Sequence, residues 1–104
     1  MYATVRRYEG IDASKIEQLK KSVDENLAPK LSVLPGFSSY FLIDTGSGVV
    51  SSVGVFDTSA QALESTRIAS EWVRDEKLEE LVPNPPKVTD GEIVVHKTNG
   101  AVKA

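Results

Sequence analysis

Cysteine is absent from the 104-residue chain, which excludes disulfides, thiolate metal sites and a cysteine nucleophile. There is one histidine, His96, and no carboxylate–histidine grouping has metal-ligand spacing, so neither a metal nor any other cofactor is expected. No apolar run approaches the ~18 residues of a membrane-spanning helix. The opening residues 1–7 lack the long apolar stretch of a secretory signal. No membrane partner is therefore expected, and the reading is a cytoplasmic protein. A basic stripe is missing too. Twelve Lys and Arg stand against fifteen Asp and Glu, for a net charge of −3, and the densest basic groups are only Arg6-Arg7 and Lys20-Lys21. Nucleic-acid affinity rests on neutralising phosphates, so nucleic acid is not an expected partner.

Other chemical signatures fail on specific absences. Gly46-Ser47-Gly48 is too short for a phosphate-cradling loop, and a strand follows it rather than a helix. Ser38-Ser39 and Ser51-Ser52 lie in strand-like segments without the glycine pattern of a nucleophile elbow.

The apolar share of 40% and charged share of 26% suit one folded domain and exclude a disordered tail, a collagen-like fibre or a coiled-coil rod. Residues 1–98 are read as that domain and residues 99–104 as a tail. Tyr2–Tyr8 alternates as a strand, with Ala3, Val5 and Arg7 on one face and Tyr2, Thr4, Arg6 and Tyr8 on the other. Ser14 and Glu17 have capping-box spacing ahead of an apolar stripe of Ile16, Leu19, Val23 and Leu27. Pro29 predicts a break or kink at Ala28, with a further turn carrying Leu31 and Leu34. After a reversal at Pro35-Gly36, residues 37–44 read as a strand, with Phe37, Phe41 and Ile43 on one face and Tyr40 and Leu42 on the other. Thr45-Gly46-Ser47-Gly48 turns it into a returning strand, Val49–Phe56.

Thr58 and Gln61 repeat the capping-box spacing before a second helix. Its buried face should carry Ala62, Ser65, Thr66, Ala69, Trp72 and Val73, mostly small groups around a single large one. Pro83-Asn84-Pro85-Pro86 is an extended connector. Asp90-Gly91 then predicts a turn into a last strand over residues 92–98.

The order strand–helix–strand–strand–helix–strand defines an α+β, ferredoxin-like βαββαβ fold, with both helices on one face of a four-stranded antiparallel sheet. An RNA-recognition domain shares this order, but Val49–Phe56 lacks the basic and aromatic pattern for base stacking. The sheet's uncovered face should carry large apolar groups drawn from Tyr2, Tyr40, Phe41, Val53, Val55 and Val94, depending on register. Such a patch exceeds what a monomer usually exposes. The expected partner is a second copy, giving a homodimer whose two sheets enclose a barrel.

At this level the chain resembles the dimeric α+β barrel superfamily, and within it the small antibiotic-biosynthesis-monooxygenase-like proteins. Leu34-Pro35-Gly36-Phe37, Val55-Phe56-Asp57, the helix positions from Ala62 to Trp72-Val73, and Gly91-Glu92-Ile93-Val94 carry the resemblance. It implies a cofactor-independent oxygenase acting on an aromatic or polyketide-like small molecule. The alternative is a non-catalytic ligand-binding, regulatory or purely structural dimer, since the fold hosts many activities. The heme-degrading branch pairs a first-strand Asn with a Trp and a His at the second helix. Here Thr4 and Arg6 occupy that strand, and no histidine follows Trp72 on its helix. In the cofactor-free branch a Trp and an Asn near the barrel are implicated; Trp72 fits, but Asn26, Asn84 and Asn99 fall outside the strands.

The candidate catalytic residues are accordingly Arg6, Trp72 and His96, with Tyr40 lining the ligand cavity. A barrel-facing Arg6 would hold an anionic or enolate oxygen, or else pair with Glu92 or Asp44 across the sheet. An imidazole such as His96 suits general-base work near neutrality, or is simply a surface group. Trp72 is either core or catalytic, and Tyr2, Tyr8 and Tyr40 present hydroxyls.

Overall fold

A computed structural model of the chain describes residues 1–97. Four strands, β1 (Tyr2–Tyr8), β2 (Phe37–Gly46), β3 (Val49–Phe56) and β4 (Lys87–Glu92), form one antiparallel sheet in the order β2-β3-β1-β4. The helices pack on one of its faces, which is the ferredoxin-like α+β arrangement.

The first helical rod is continuous where a break or kink was expected, with a π-helical irregularity at that place. It opens as a 3₁₀ turn over Ala13–Lys15 and runs through α1 (Ile16–Ser22), a π-helical stretch (Val23–Leu27) and α2 (Ala28–Ser32). The Ala28 amide bonds back five residues, to Val23. That wider turn spreads the backbone ahead of Pro29, whose missing N–H then needs no partner, so the rod swells instead of breaking. Its cap is also different. Asp12, not Ser14, supplies it, accepting from the Ser14 amide at 2.9 Å. The Ser14 hydroxyl is drawn to the same carboxylate and is lost to Glu17.

Helix α3 (Ser59–Asp75) has the anticipated reciprocal cap between Thr58 and Gln61. Gly36 sits at φ +77, and a Cβ there would strike the Gln61 amide, so the glycine turn and the cap are built against each other. Ala62, Ser65, Ala69 and Trp72 are the buried side of α3. The small residues bring the helix close to β1 and β3, and Trp72 joins Leu19, Val23, Leu27, Leu31, Val50, Leu81 and Val82 in the core.

Two register findings correct the sequence reading. An irregularity between Phe37 and Ser39 moves Phe37 to the helix-covered face, where its ring meets Phe56 edge-on at 5.7 Å. An extra residue at that point flips the alternation. The last strand lies earlier than residues 92–98: Lys87–Glu92 pairs with β1, Arg6 opposite Val88 and Ala3 opposite Gly91. Asp90-Gly91 is therefore strand rather than turn. The partner strand's free edge selects this register, and the apolar run Ile93-Val94-Val95 that looked strand-like continues past the end of β1. Thr98 and the tail 99–104 lie outside the described residues.

With this register the covered face bears Tyr2, Thr4, Arg6, Tyr8, Phe37, Tyr40, Leu42, Val50, Ser52 and Phe56. Of the residues expected on the open face, Phe41, Val53 and Val55 are there, joined by Ala3, Val5 and Ile43. Tyr2 and Tyr40 are on the covered side, and Val94 is in no strand. Phe41 and Ile43 are exposed.

Candidate functional site

The covered face buries a positive charge. Arg6 is 1% exposed, in the middle of β1 beneath α3. Alternation places its side chain inward, and the pairing of Arg6 with Ser52 brings a hydroxyl alongside it. Arg6 Nε donates to Ser52 Oγ at 3.2 Å, and Nη1 donates to Thr66 Oγ1 at 3.0 Å and reaches Ser65 Oγ at 3.5 Å. Ser65 in turn donates to the Ala62 carbonyl. Every partner is a neutral hydroxyl. Neither Glu92 nor Asp44 pairs with Arg6; Arg7, on the opposite face, takes Glu9 at 2.9 Å.

Arg6 Nη2 has no partner among the described residues, and nor has the indole Nε1 of Trp72; both atoms are buried. A buried donor left unpaired costs about 1–3 kcal/mol, more when it is charged. A buried polar group left unpaired in a native fold calls for an explanation, and one is a ligand acceptor that the chain itself does not supply.

Two phenols complete the surroundings. Burial raises the pKa of Tyr8 above the ordinary tyrosine value, with the nearby Arg6 charge opposing and Tyr40 reinforcing the rise. Burial likewise raises Tyr40, again opposed by Arg6. Each therefore stays a neutral hydroxyl at physiological pH, able to donate to a ligand oxygen.

Three spaces open around these groups. A cleft of about 450 Å³ is lined by Arg6, Tyr8, Thr66, Ser70 and the chain from Glu79 through the Pro83–Pro86 connector. The connector is held down by Asn84, whose amide donates to the Glu9 carbonyl at 3.0 Å. Next to it lies an apolar void of only about 20 Å³, walled by Tyr8, Tyr40, Trp72 and core aliphatics. A third cleft, of about 290 Å³, opens between the first helical rod and β2.

Of the residues singled out from sequence, Tyr40 and Trp72 share the small apolar void, and Arg6 lines the adjoining larger cleft, with Tyr8 common to both spaces. His96 joins neither. It is exposed in the irregular segment after β4, because the strand ends at Glu92, and it lines none of the three spaces. Ser52, Ser65 and Thr66 went unrecognised as Arg6 partners. Only the strand register and the small face of α3, taken together, would have revealed them. Among the described residues no group of three or more His, Asp or Glu side chains is arranged to hold a metal ion, and no helix is long and apolar enough to cross a membrane.

No protein-family model matches the sequence, and no curated protein sequence does either. Solved structures do. A Streptomyces coelicolor monooxygenase from the gene ActVA-Orf6, in complex with nanaomycin D, is 15% identical with a TM-score of 0.71, over 94% of this chain and 91% of that one. An MhuD variant with two manganese protoporphyrin IX molecules bound per active site is 14% identical with a TM-score of 0.75, over 95% of this chain and 100% of that one. A dimeric ferredoxin-like protein from an uncultured marine organism is 17% identical with a TM-score of 0.68, over 94% and 98%. The chain has the fold of the antibiotic-biosynthesis-monooxygenase-like, ferredoxin-fold proteins, and at these identities the likeness carries the fold alone.

Proposed function

We propose that the protein binds an aromatic or polyketide-like small molecule through an acidic ring oxygen, and oxidises it with dioxygen as a cofactor-independent monooxygenase. The observation that carries the reading is the buried Arg6 guanidinium, which among the described residues is bonded only to hydroxyls and has no partner at Nη2. Each two-pronged edge of a guanidinium pairs Nη2 with Nε or with Nη1. Ser52 engages Nε, and Thr66 engages Nη1. What remains suits one oxygen, a phenolate or enolate, better than the two oxygens of a carboxylate.

In this reading Arg6 lowers the pKa of the bound phenol or enol by favouring its anion, and the electron-rich ring then reduces dioxygen. For an enolisable ring methylene, one oxygen atom becomes the new carbonyl, the other leaves as water with the two methylene hydrogens, and the substrate supplies the electrons. Tyr8 and Tyr40 orient the ring oxygen as neutral donors. The displacement of His96 from the cavity supports a second reading, in which the site binds such a ligand without turning it over.

The test uses the fluorescence of Trp72, the single tryptophan. Titration with 2-naphthol should quench it saturably, while 2-methoxynaphthalene, which cannot ionise, should bind roughly 10- to 100-fold more weakly, the value of one charge-assisted hydrogen bond. Arg6→Met should abolish that preference. Equal binding of the two compounds would remove the basis for the proposal. Oxygen uptake on ligands that bind separates oxygenase from carrier.

The open sheet face, with Phe41, Ile43, Val53 and Val55, supports the homodimer as the working form, and a structural neighbour of this fold is described as dimeric. Sedimentation should give about twice the 11.3 kDa chain mass, and Phe41→Lys should shift it toward the monomer. A persistent single-chain species at micromolar concentration would refute the assembly.

A further inference from the structure

The Arg6 cleft is closed where its chemistry needs it open. Arg6 is 1% exposed and its unpaired Nη2 is buried, so a ligand oxygen reaches that nitrogen only when part of the wall gives way. The walls differ in how firmly they are held. Arg6 and Tyr8 stand on β1, which is laddered on both sides, by β3 and by β4. Thr66 and Val73 belong to α3, seated on the sheet through its buried Ala62, Ser65 and Ala69. The turn from Glu79 to Val82 is pinned by the Leu81 and Val82 amides, which both donate to the Leu78 carbonyl, and by burial of the two side chains. What is left is the connector Pro83-Asn84-Pro85-Pro86, between buried Val82 and the start of β4 at Lys87.

Three of these four residues are prolines and have no amide hydrogen to tie down. Among the described residues the connector makes no backbone–backbone hydrogen bond, and one side-chain bond holds it, from Asn84 Nδ2 to the Glu9 carbonyl. The chain beneath is shaped to receive that bond. Gly10 sits at φ +78, and a Cβ there would lie 2.5 Å from the Asn84 amide nitrogen, so Asn84 fills the space that a side chain at position 10 would take. Prolines also confine the residues before them to extended backbone, so the connector moves as a stiff unit about its ends.

From this we propose that the connector is a latched strap: breaking the Asn84–Glu9 hydrogen bond lets residues 83–86 swing off the cleft and admits the ligand to Arg6, and re-forming it closes the cleft over the bound ring. This rests on the Arg6 reading and adds a gate to it. Asn84 acts here through the strap that it holds. Because the same bond is made before and after binding, it governs how fast the ligand enters and leaves, and not how tightly it is held.

Stopped-flow mixing with 2-naphthol, read by the fluorescence of Trp72, tests this. Asn84→Ala should raise the association and dissociation rate constants together, each about 5-fold, the worth of one hydrogen bond, and leave Kd within about 2-fold of the parent. Gly10→Ala displaces the same side chain from the opposite direction and should give the same acceleration. The double variant should be no faster than either single one, because both changes remove one bond. Faster dissociation with unchanged association in Asn84→Ala would make Asn84 an ordinary contact and overturn the strap. Unchanged rates would overturn it too. In either case binding of 2-naphthol by the parent, and its dependence on Arg6, would stand. A parent protein that does not bind 2-naphthol overturns the strap together with the Arg6 reading.

Discussion

Arg6→Met is expected to give a protein that melts higher than the parent and no longer distinguishes a phenol from its methyl ether. A charge taken out of water costs several kcal/mol, and an ion pair seldom returns more than that. Among the described residues Arg6 lacks even the ion pair: its fixed partners are Ser52, Ser65 and Thr66, all neutral. Methionine keeps the apolar stem, adapts to irregular space and removes the charge. Against this gain stands the Ser52 hydroxyl, which loses its donor, whereas Ser65 keeps the Ala62 carbonyl and Thr66 retains Thr4 nearby. The balance is a gain of about 1–2 kcal/mol, and in a domain of this size each kcal/mol moves the midpoint by roughly 4–8 °C.

Thermal unfolding followed by circular dichroism, at one fixed protein concentration because assembly couples to stability, checks it. Arg6→Lys is the contrast. It retains the buried charge without the fork, and should fall below the parent. A loss of more than about 1 kcal/mol in Arg6→Met would mean that the guanidinium is scaffolding. The cost it imposes would then need no ligand to explain it. A stable, blind variant is what a site that trades stability for function produces.

The sequence made the architecture legible where side-chain period and local capping agree. Tyr2–Tyr8 and Val49–Phe56 alternate cleanly, and Thr58 with Gln61 announces α3. It misled where a long-range pairing overrode local preference. Val94 and Val95 are good strand formers that find no strand to pair with, while Lys87–Glu92, with Asp90 and Gly91 inside it, becomes β4 because β1 offers it a free edge. His96 was a candidate for its imidazole, and the strand expected over residues 92–98 was what placed it at the sheet. Likewise Pro29 signals a break from local sterics, but the apolar stripe continuing to Leu27 and Leu31 binds the rod to the core on both sides, and a π turn resolves the conflict.

The site was visible in part for the same reason. Inward pointing of Arg6 follows from alternation, but its surroundings do not. Ser52 comes from a strand 46 positions away and Thr66 from a helix 60 positions away, and serine and threonine in such places read as ordinary filler. The absence of a counter-charge, which gives Arg6 its meaning, is a property of the packed structure.

Trp72→Ala is expected to be the most damaging single change, and Trp72→Phe nearly silent. The indole, on α3, is 4% exposed and belongs to the core cluster that joins this helix to the first helical rod and the sheet. Truncation to alanine removes its transfer energy and enlarges the adjoining void of about 20 Å³, which the close-packed small residues of α3 cannot collapse to fill. Such changes cost about 3–5 kcal/mol, a large share of the roughly 5–15 kcal/mol that holds a small domain together. The midpoint should fall by well over 10 °C, and at 37 °C a measurable fraction should be unfolded. Phenylalanine loses some contact area but also removes the unpaired Nε1–H, whose burial costs about 1–3 kcal/mol. The two effects nearly cancel, leaving stability within about 1 kcal/mol of the parent. Circular dichroism must report both variants, since each loses the fluorophore. If Trp72→Phe falls as far as Trp72→Ala, the indole N–H has a partner in solution. If it holds, the N–H is dispensable to the fold and remains free for an acceptor on whatever the cavity takes in.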